Sequence, residues 1–236
     1  MELYNDDCFN VFSKINDKSI DLFILDLPYN CTACKWDTPI DLNQMWIDIK
    51  RIMKPTAVIV FFCNTKFGFS LINSNPKWFR YDLVWEKSNA VGFLSANKTP
   101  LRKHENIYIF KNKGGTYNPQ KTVGKPYNGF SSEDKMAGEV YGQFKSFHNA
   151  NKGERHPTSI LKYKNVKRGS LHPTQKPTDL LEWIIKTYSN EGETIMDFTM
   201  GSGSTGEACK NTNRKFIGVE KDTDIFNLAR DRLLEN

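Results

Sequence analysis

Thr194-Ile195-Met196-Asp197-Phe198, Gly201-Ser202-Gly203-Ser204-Thr205-Gly206 and Lys215-Phe216-Ile217-Gly218-Val219-Glu220 form the stretch that decides the fold. The first run is apolar, of strand length, and contains an acid near its end. The glycine turn leads into Glu207-Ala208-Cys209-Lys210, which reads as helical. Lys215 to Glu220 is a further strand and closes on an acid. Strand, glycine turn, helix, strand and acid is the layout of a nucleotide-binding βαβ unit. The glycines let the backbone approach a ligand, and the terminal acid suits ribose hydroxyls. Their spacing also fits G-x-G-x-x-G, so a NAD-linked oxidoreductase is a rival at this point.

Only sixteen residues follow Glu220, and they read as one helix, Asp222 to Leu234. A doubly wound sheet needs more strands, which must therefore come from upstream. Asp21 to Leu25 is an apolar strand leading into Asp26-Leu27-Pro28-Tyr29. This tetrapeptide is suited to a planar amine. A carboxylate and a neighbouring carbonyl can accept its two N–H bonds, proline stiffens the turn, and tyrosine can stack on the ring. The plainer reading is a strand followed by a turn. Between the two halves lie a helix over Asp41 to Met53, a central strand over Ala57 to Cys63 and a short helix over Phe67 to Ile72. Extended runs follow over Tyr81 to Glu86 and His104 to Phe110. Thr178 to Tyr188 reads as a helix with Thr178 as its N-cap.

The chain resembles the β group of DNA amino-methyltransferases, which use S-adenosylmethionine to methylate adenine N6 or cytosine N4. Asp26 to Tyr29 matches their Asp-Pro-Pro-Tyr motif, with Leu27 in place of the first proline. Asp197, Phe198, Gly201 and Gly203 match their cofactor motif, and His172-Pro173-Thr174-Gln175-Lys176-Pro177 stands intact. Asp6-Asp7-Cys8 resembles their Gly-Asp-Cys. Catalytic motif first and cofactor motif last is the order of the β group. The resemblance implies a circularly permuted, Rossmann-like α/β fold with a doubly wound, mostly parallel sheet. It divides the chain into a catalytic half, 1–110, a basic insert for target recognition, 111–169, and a cofactor half, 170–236.

The same resemblance implies roles. Asp26 and the Leu27 carbonyl accept the amine hydrogens, while Pro28 and Tyr29 fix the base. Asp197, Phe198, Gly201 and Gly203 border the methionine part of the cofactor, and Glu220 takes its ribose. Asp7 and Cys8 lie near its adenine, and Thr174, Gln175 and Lys176 help close the pocket. Asp at position 26, where cytosine enzymes more often carry Ser, favours adenine. Orientation of the amine would supply much of the acceleration, about 7–11 kcal/mol. A base in a duplex must flip out to be reached. His104 and Glu105 resemble a motif near the target-base pocket, though a strand-end histidine is an equal reading.

Charge points to DNA by a separate route. Residues 111–169 hold twelve Lys and Arg against four Asp and Glu, an excess of +8, while the remainder holds 21 against 23. Seven aromatics are interleaved there, and this combination suits phosphates and bases. Lys162, Lys164, Lys167 and Arg168 are the expected phosphate contacts, against the plainer reading of a solubilising loop. No apolar run reaches membrane-span length. Five cysteines without a secretory signal suggest reduced thiols and a cytoplasmic protein. Cys31-x-x-Cys34 has no second pair at zinc spacing, so no metal is expected. Remaining rivals are a DNA-binding module on an inactive scaffold and a protein-glutamine methyltransferase. The sequence leaves open a homodimer, a partner nuclease and the recognition site.

Overall fold

The computed structural model describes residues 1–28, 39–131, 147–166 and 175–234. It divides into two compact units, Met1–Asn118 with Ser159–Asn236, and Pro119–Thr158. The first is built on an eight-stranded sheet. Its strands are β1 (Glu2–Asn5), β2 (Ile20–Leu25), β3 (Met53–Cys63), β4 (Phe79–Val91), β5 (Arg102–Phe110), β10 (Ile160–Tyr163), β11 (Thr194–Asp197) and β12 (Lys215–Glu220). Their order is β1-β12-β11-β2-β3-β5-β4-β10. All neighbours pair in parallel except those of β5, which runs antiparallel to both β3 and β4. The expected doubly wound, mostly parallel sheet in permuted order is thus present.

Strand alternation explains the two faces. Phe23 and Leu25 point to one core and Leu22 and Ile24 to the other, as a two-residue period requires. The first core takes the buried stripes of α1 (Cys8–Phe12), α2 (Leu42–Ile52) and α3 (Thr65–Ser74). The second takes those of α4 (Thr178–Tyr188), α5 (Ser204–Asn211) and α6 (Thr223–Leu234). Because β2, β3 and β11 are covered on both faces, their sequences read as nearly unbroken apolar runs.

Several elements differ from the sequence reading. Thr178 is the first helical residue of α4, and Pro177 holds the cap position without a side-chain bond. The Thr178 hydroxyl donates instead to Glu207 at 3.1 Å, so a tertiary partner took the group that a local cap would have used. Asp41 does cap α2, accepting from the amides of Asn43 and Gln44. β3 starts at Met53 rather than Ala57, and β4 runs on to Val91. β1 and α1 were not expected.

The second unit is narrower than 111–169. Within it β7 (Tyr127–Ser131) pairs antiparallel with β8 (Phe147–Asn151), and β6 (Thr122–Val123) with β9 (Glu154–Arg155). The Arg155 guanidinium lies 4.7 Å from the Tyr127 ring. The flanks 111–118 and 159–166 belong to the first unit, and β10, read as part of an aperiodic insert, is a strand of the main sheet. The charge divides accordingly. Residues 119–158 hold six basic and four acidic groups, while 111–118 and 159–169 hold six basic and no acidic ones. Among the described residues no helix is long and apolar enough to cross a membrane.

Candidate active site

From β2 the chain moves outward to β3, and from β11 outward the other way to β12. The crevice at the carboxyl ends of β2 and β11 is therefore a topological switch point, where ligands collect in open α/β sheets. A cavity of about 570 Å³ opens there. Its lining takes in Asp26, Leu27 and Pro28 beyond β2, and Asp197, Phe198 and Gly201 around the end of β11. Glu220 at the end of β12, Asp7 and Cys8 at the start of α1, and Gln175 and Lys176 ahead of α4 complete it. Gly203 is the cap of α5, with a positive φ of 78°. A Cβ there would come to 3.0 Å from Leu233, so both conformation and packing favour glycine. Tyr29, Thr174, Lys167, Arg168 and the Cys31–Cys34 pair lie outside the described residues.

One wall is built from acids held by nearby donors. Asp197 is buried; its carboxylate accepts from the Thr205 hydroxyl at 2.6 Å and the Thr199 amide at 3.1 Å. Burial pushes its carboxyl up to about 7 against the opposing effect of these two bonds, and the negative charges of Asp26 and Glu220 raise it further. Glu220 accepts from the amides of Gly201 at 3.0 Å and Asp222 at 2.9 Å, and burial raises its carboxyl too. Gly201 has a φ of 51° and open space where a Cβ would stand. Thr199 lines the cavity, and its buried hydroxyl has no partner among the described residues. Two acids, an unpartnered hydroxyl and a bare glycine backbone suit a ligand carrying positive charge and hydroxyl donors.

Asp7 caps α1, accepting from the Phe9 amide, and pairs with Lys221 at 3.0 Å. Burial and the charge of Asp7 push the Cys8 thiol up to about 12, so it is no nucleophile. Phe198 is an anchor: its ring meets Phe12 edge-on at 5.1 Å.

The opposite wall carries Asp26. Lys176 donates to Asp26 Oδ2 and, at 3.1 Å, to Glu105 Oε1. Lys87 holds Glu105 Oε2 at 2.6 Å. Burial alone would raise the Glu105 carboxyl, but the two lysines hold it below the usual range. Burial likewise opposes the charge on Lys176, yet Asp26 and Glu105 hold its pKa above that of an ordinary lysine. Lys176 thus meets Asp26, in addition to lining the cavity where a cofactor role was expected. The sequence reading set His104 and Glu105 near the target-base pocket by resemblance but named no partner for Glu105, and it missed Lys87. The useful signal would have been the β4–β5 register, which sets Trp85 opposite Glu105.

Lys162 sits in β10 and pairs with Glu86 at 3.3 Å; its side chain is 77% exposed. Lys164 is exposed just beyond β10. Among the described residues no cluster of three or more His, Cys, Asp or Glu is arranged to hold a metal.

The DNA methylase family matches this chain over residues 20–231. The Type II methyltransferase M1.MboII of Moraxella bovis is 30% identical over 252 residues, covering 97% of this chain and 94% of that protein. The Type II methyltransferase M2.DpnII of Streptococcus pneumoniae is 26% identical over 266 residues, covering 99% and 89%. The structure of the M1.HpyAVI–SAM complex has a TM-score of 0.65 at 20% identity, covering 99% of this chain and 98% of that one. The cytosine-N4-specific PvuII DNA methyltransferase has a TM-score of 0.70 at 14% identity, covering 99% and 86%. At these identities the two structures speak to the fold. The family match sets aside the NAD-linked oxidoreductase suggested by the glycine spacing. The chain belongs to the N6/N4 DNA methylase family, whose methyl donor is S-adenosylmethionine, and is a DNA methyltransferase.

Proposed function

We propose that this chain methylates the N6 amino group of adenine at a specific DNA sequence, with S-adenosylmethionine as donor, as the modification half of a restriction–modification pair. One observation carries the reading: the acid after β2 shares a single cavity with the acids that end β11 and β12. When bound, S-adenosylmethionine supplies an electrophilic methyl group on a cationic sulfur.

The chain's own residues do the rest. Asp197 and the Thr199 hydroxyl face the cationic methionine end, and Glu220 accepts from the ribose hydroxyls. Gly201 leaves the backbone open to the ligand, and Asp7 and Cys8 border its base. Gln175 closes the rim. On the other wall Asp26 and the Leu27 carbonyl accept the two hydrogens of the target amine. This draws the nitrogen lone pair out of the ring and aims it into the cavity, while Pro28 fixes the turn. Tyr29, by the motif match, stacks on the flipped base. The acid-free basic flank 159–169, with Lys162, Lys164, Lys167 and Arg168, contacts phosphates.

Mass spectrometry of nucleosides from DNA treated with the protein tests this directly. N6-methyladenine is the expected product. N4-methylcytosine would replace adenine with cytosine as the target, and neither product would remove the reading.

A further inference from the structure

The four charged groups Asp26, Lys176, Glu105 and Lys87 form a continuous chain of ion pairs across β2, the approach to α4, β5 and β4. Only 13% of the Lys176 side chain is exposed, and its ammonium also lies 5.1 Å from the Phe62 ring in β3. Lys87 lies 4.7 Å from the Trp85 ring. A largely buried lysine with two carboxylates and an aromatic face has little freedom to move. A carboxylate that must meet an incoming amine has the opposite problem, since rotation about its last torsion is broad and loses the alignment.

We infer that Lys176 is a positioning residue for methyl transfer, clamping Asp26 through Oδ2, and that Glu105, tied to Lys87, clamps Lys176 in turn. The inference rests on Asp26 being the amine acceptor. Glu105 has a second use. Lys176 alone would face a cationic methyl donor with a positive charge at close range. Glu105 and Lys87 complete a group of four with no net charge, so Asp26 gains a rigid partner without repulsion of the donor.

The experiment compares wild type with Lys176→Met, Lys176→Arg and Glu105→Gln, with melting temperature as the check on folding. Single-turnover transfer should fall about 100-fold in Lys176→Met, the scale of a small misplacement at a reacting centre. S-adenosylmethionine affinity should stay within about threefold, which separates positioning from cofactor binding. Lys176→Arg should recover part of the rate. Glu105→Gln should lower it about tenfold, as one charged hydrogen bond is removed. An unchanged rate, or cofactor affinity falling as far as the rate, would overturn the inference.

A second arm needs no activity. Nitrogen-15 NMR of lysine side chains in the full chain should show a slowly exchanging Lys176 ammonium that shifts and broadens in Asp26→Asn. An ammonium unseen in wild type, or unmoved by Asp26→Asn, overturns the inference. If wild type transfers no methyl group to any DNA, the methyltransferase reading fails, while this arm still decides whether Lys176 holds Asp26.

Discussion

The acids on the two walls of the cavity are held in place by different means. Glu220 is fixed by the amides of Gly201 and Asp222, and Asp197 by the Thr199 amide and the Thr205 hydroxyl; the widest of these spans is 19 residues. Asp26 is held by Lys176, 150 residues away, and that lysine by Glu105 from another strand. The wall of Asp197 and Glu220 is thus set largely by turns, with groups whose geometry follows from the backbone. The wall of Asp26 is set by side-chain charge, and depends on the register of strands far apart in sequence. The first should tolerate salt and mutation at a distance, and the second should not.

Four measurements sharpen or break this contrast. Asp26→Ala should abolish turnover, a drop beyond about 1,000-fold, since both orientation and the charged acceptor are removed. Calorimetry on the same variant should find S-adenosylmethionine affinity nearly intact; equal loss of binding and turnover would mean that the walls are not separate. Glu220→Ala should act the other way, weakening the cofactor by about 1.5–3 kcal/mol as a charged acceptor disappears. Unchanged affinity there would make Glu220 a prop for Gly201 only.

The third measurement uses Asp197, whose carboxyl stands at about 7 in the free protein. A cationic ligand favours its ionised form, so binding below that pH must expel a proton. Affinity should rise with pH through this range, by up to about tenfold per unit on the acidic side, and level off above it. The folded chain has the opposite dependence. A raised carboxyl stabilises it below the unfolded value near 3.8, and that contribution is lost as pH rises through about 7. Calorimetry in buffers of different ionisation enthalpy should count close to one proton released at pH 6. No release at that pH would assign the cationic end of the ligand to another acid.

The smallest effect expected is on the DNA side. Neutralising Lys162, Lys164, Lys167 and Arg168 together should lower the log–log salt slope by about 0.9 for each phosphate no longer neutralised by the protein. Lys162 already pairs with Glu86, so its share should be the least. An unchanged slope with normal DNA affinity would leave the flank as a solubilising surface.

What could be read from the sequence follows the same division. Asp26, Asp197 and Glu220 were legible as strand-end acids because each closes an apolar run, and Gly201 and Gly203 from their spacing between strand and helix; the structure gives both glycines a positive φ. Helices α2 and α4 were legible from their apolar spacing. The Lys176–Glu105–Lys87 chain was not, because nothing local to Lys176 says which strand will stand opposite. β1 and β10 are four residues long and take their stability from neighbouring strands rather than from pattern. The cap at Thr178 failed for a related reason, since a distant carboxylate competed for its hydroxyl.

The permuted strand order has a consequence for how the molecule is made. β1 pairs with β12, so Glu2 must wait for Ile217, and central β2 waits for β11. Closing so long a loop is slow, because ordering entropy is spent before the pairing forms. During synthesis the apolar edge of β2 stays open until almost the whole chain has emerged, and it is a template for wrong pairing until then. Removal of β11 and β12 by truncation should therefore abolish soluble expression of the sheet rather than leave an intact protein that merely lacks its cofactor.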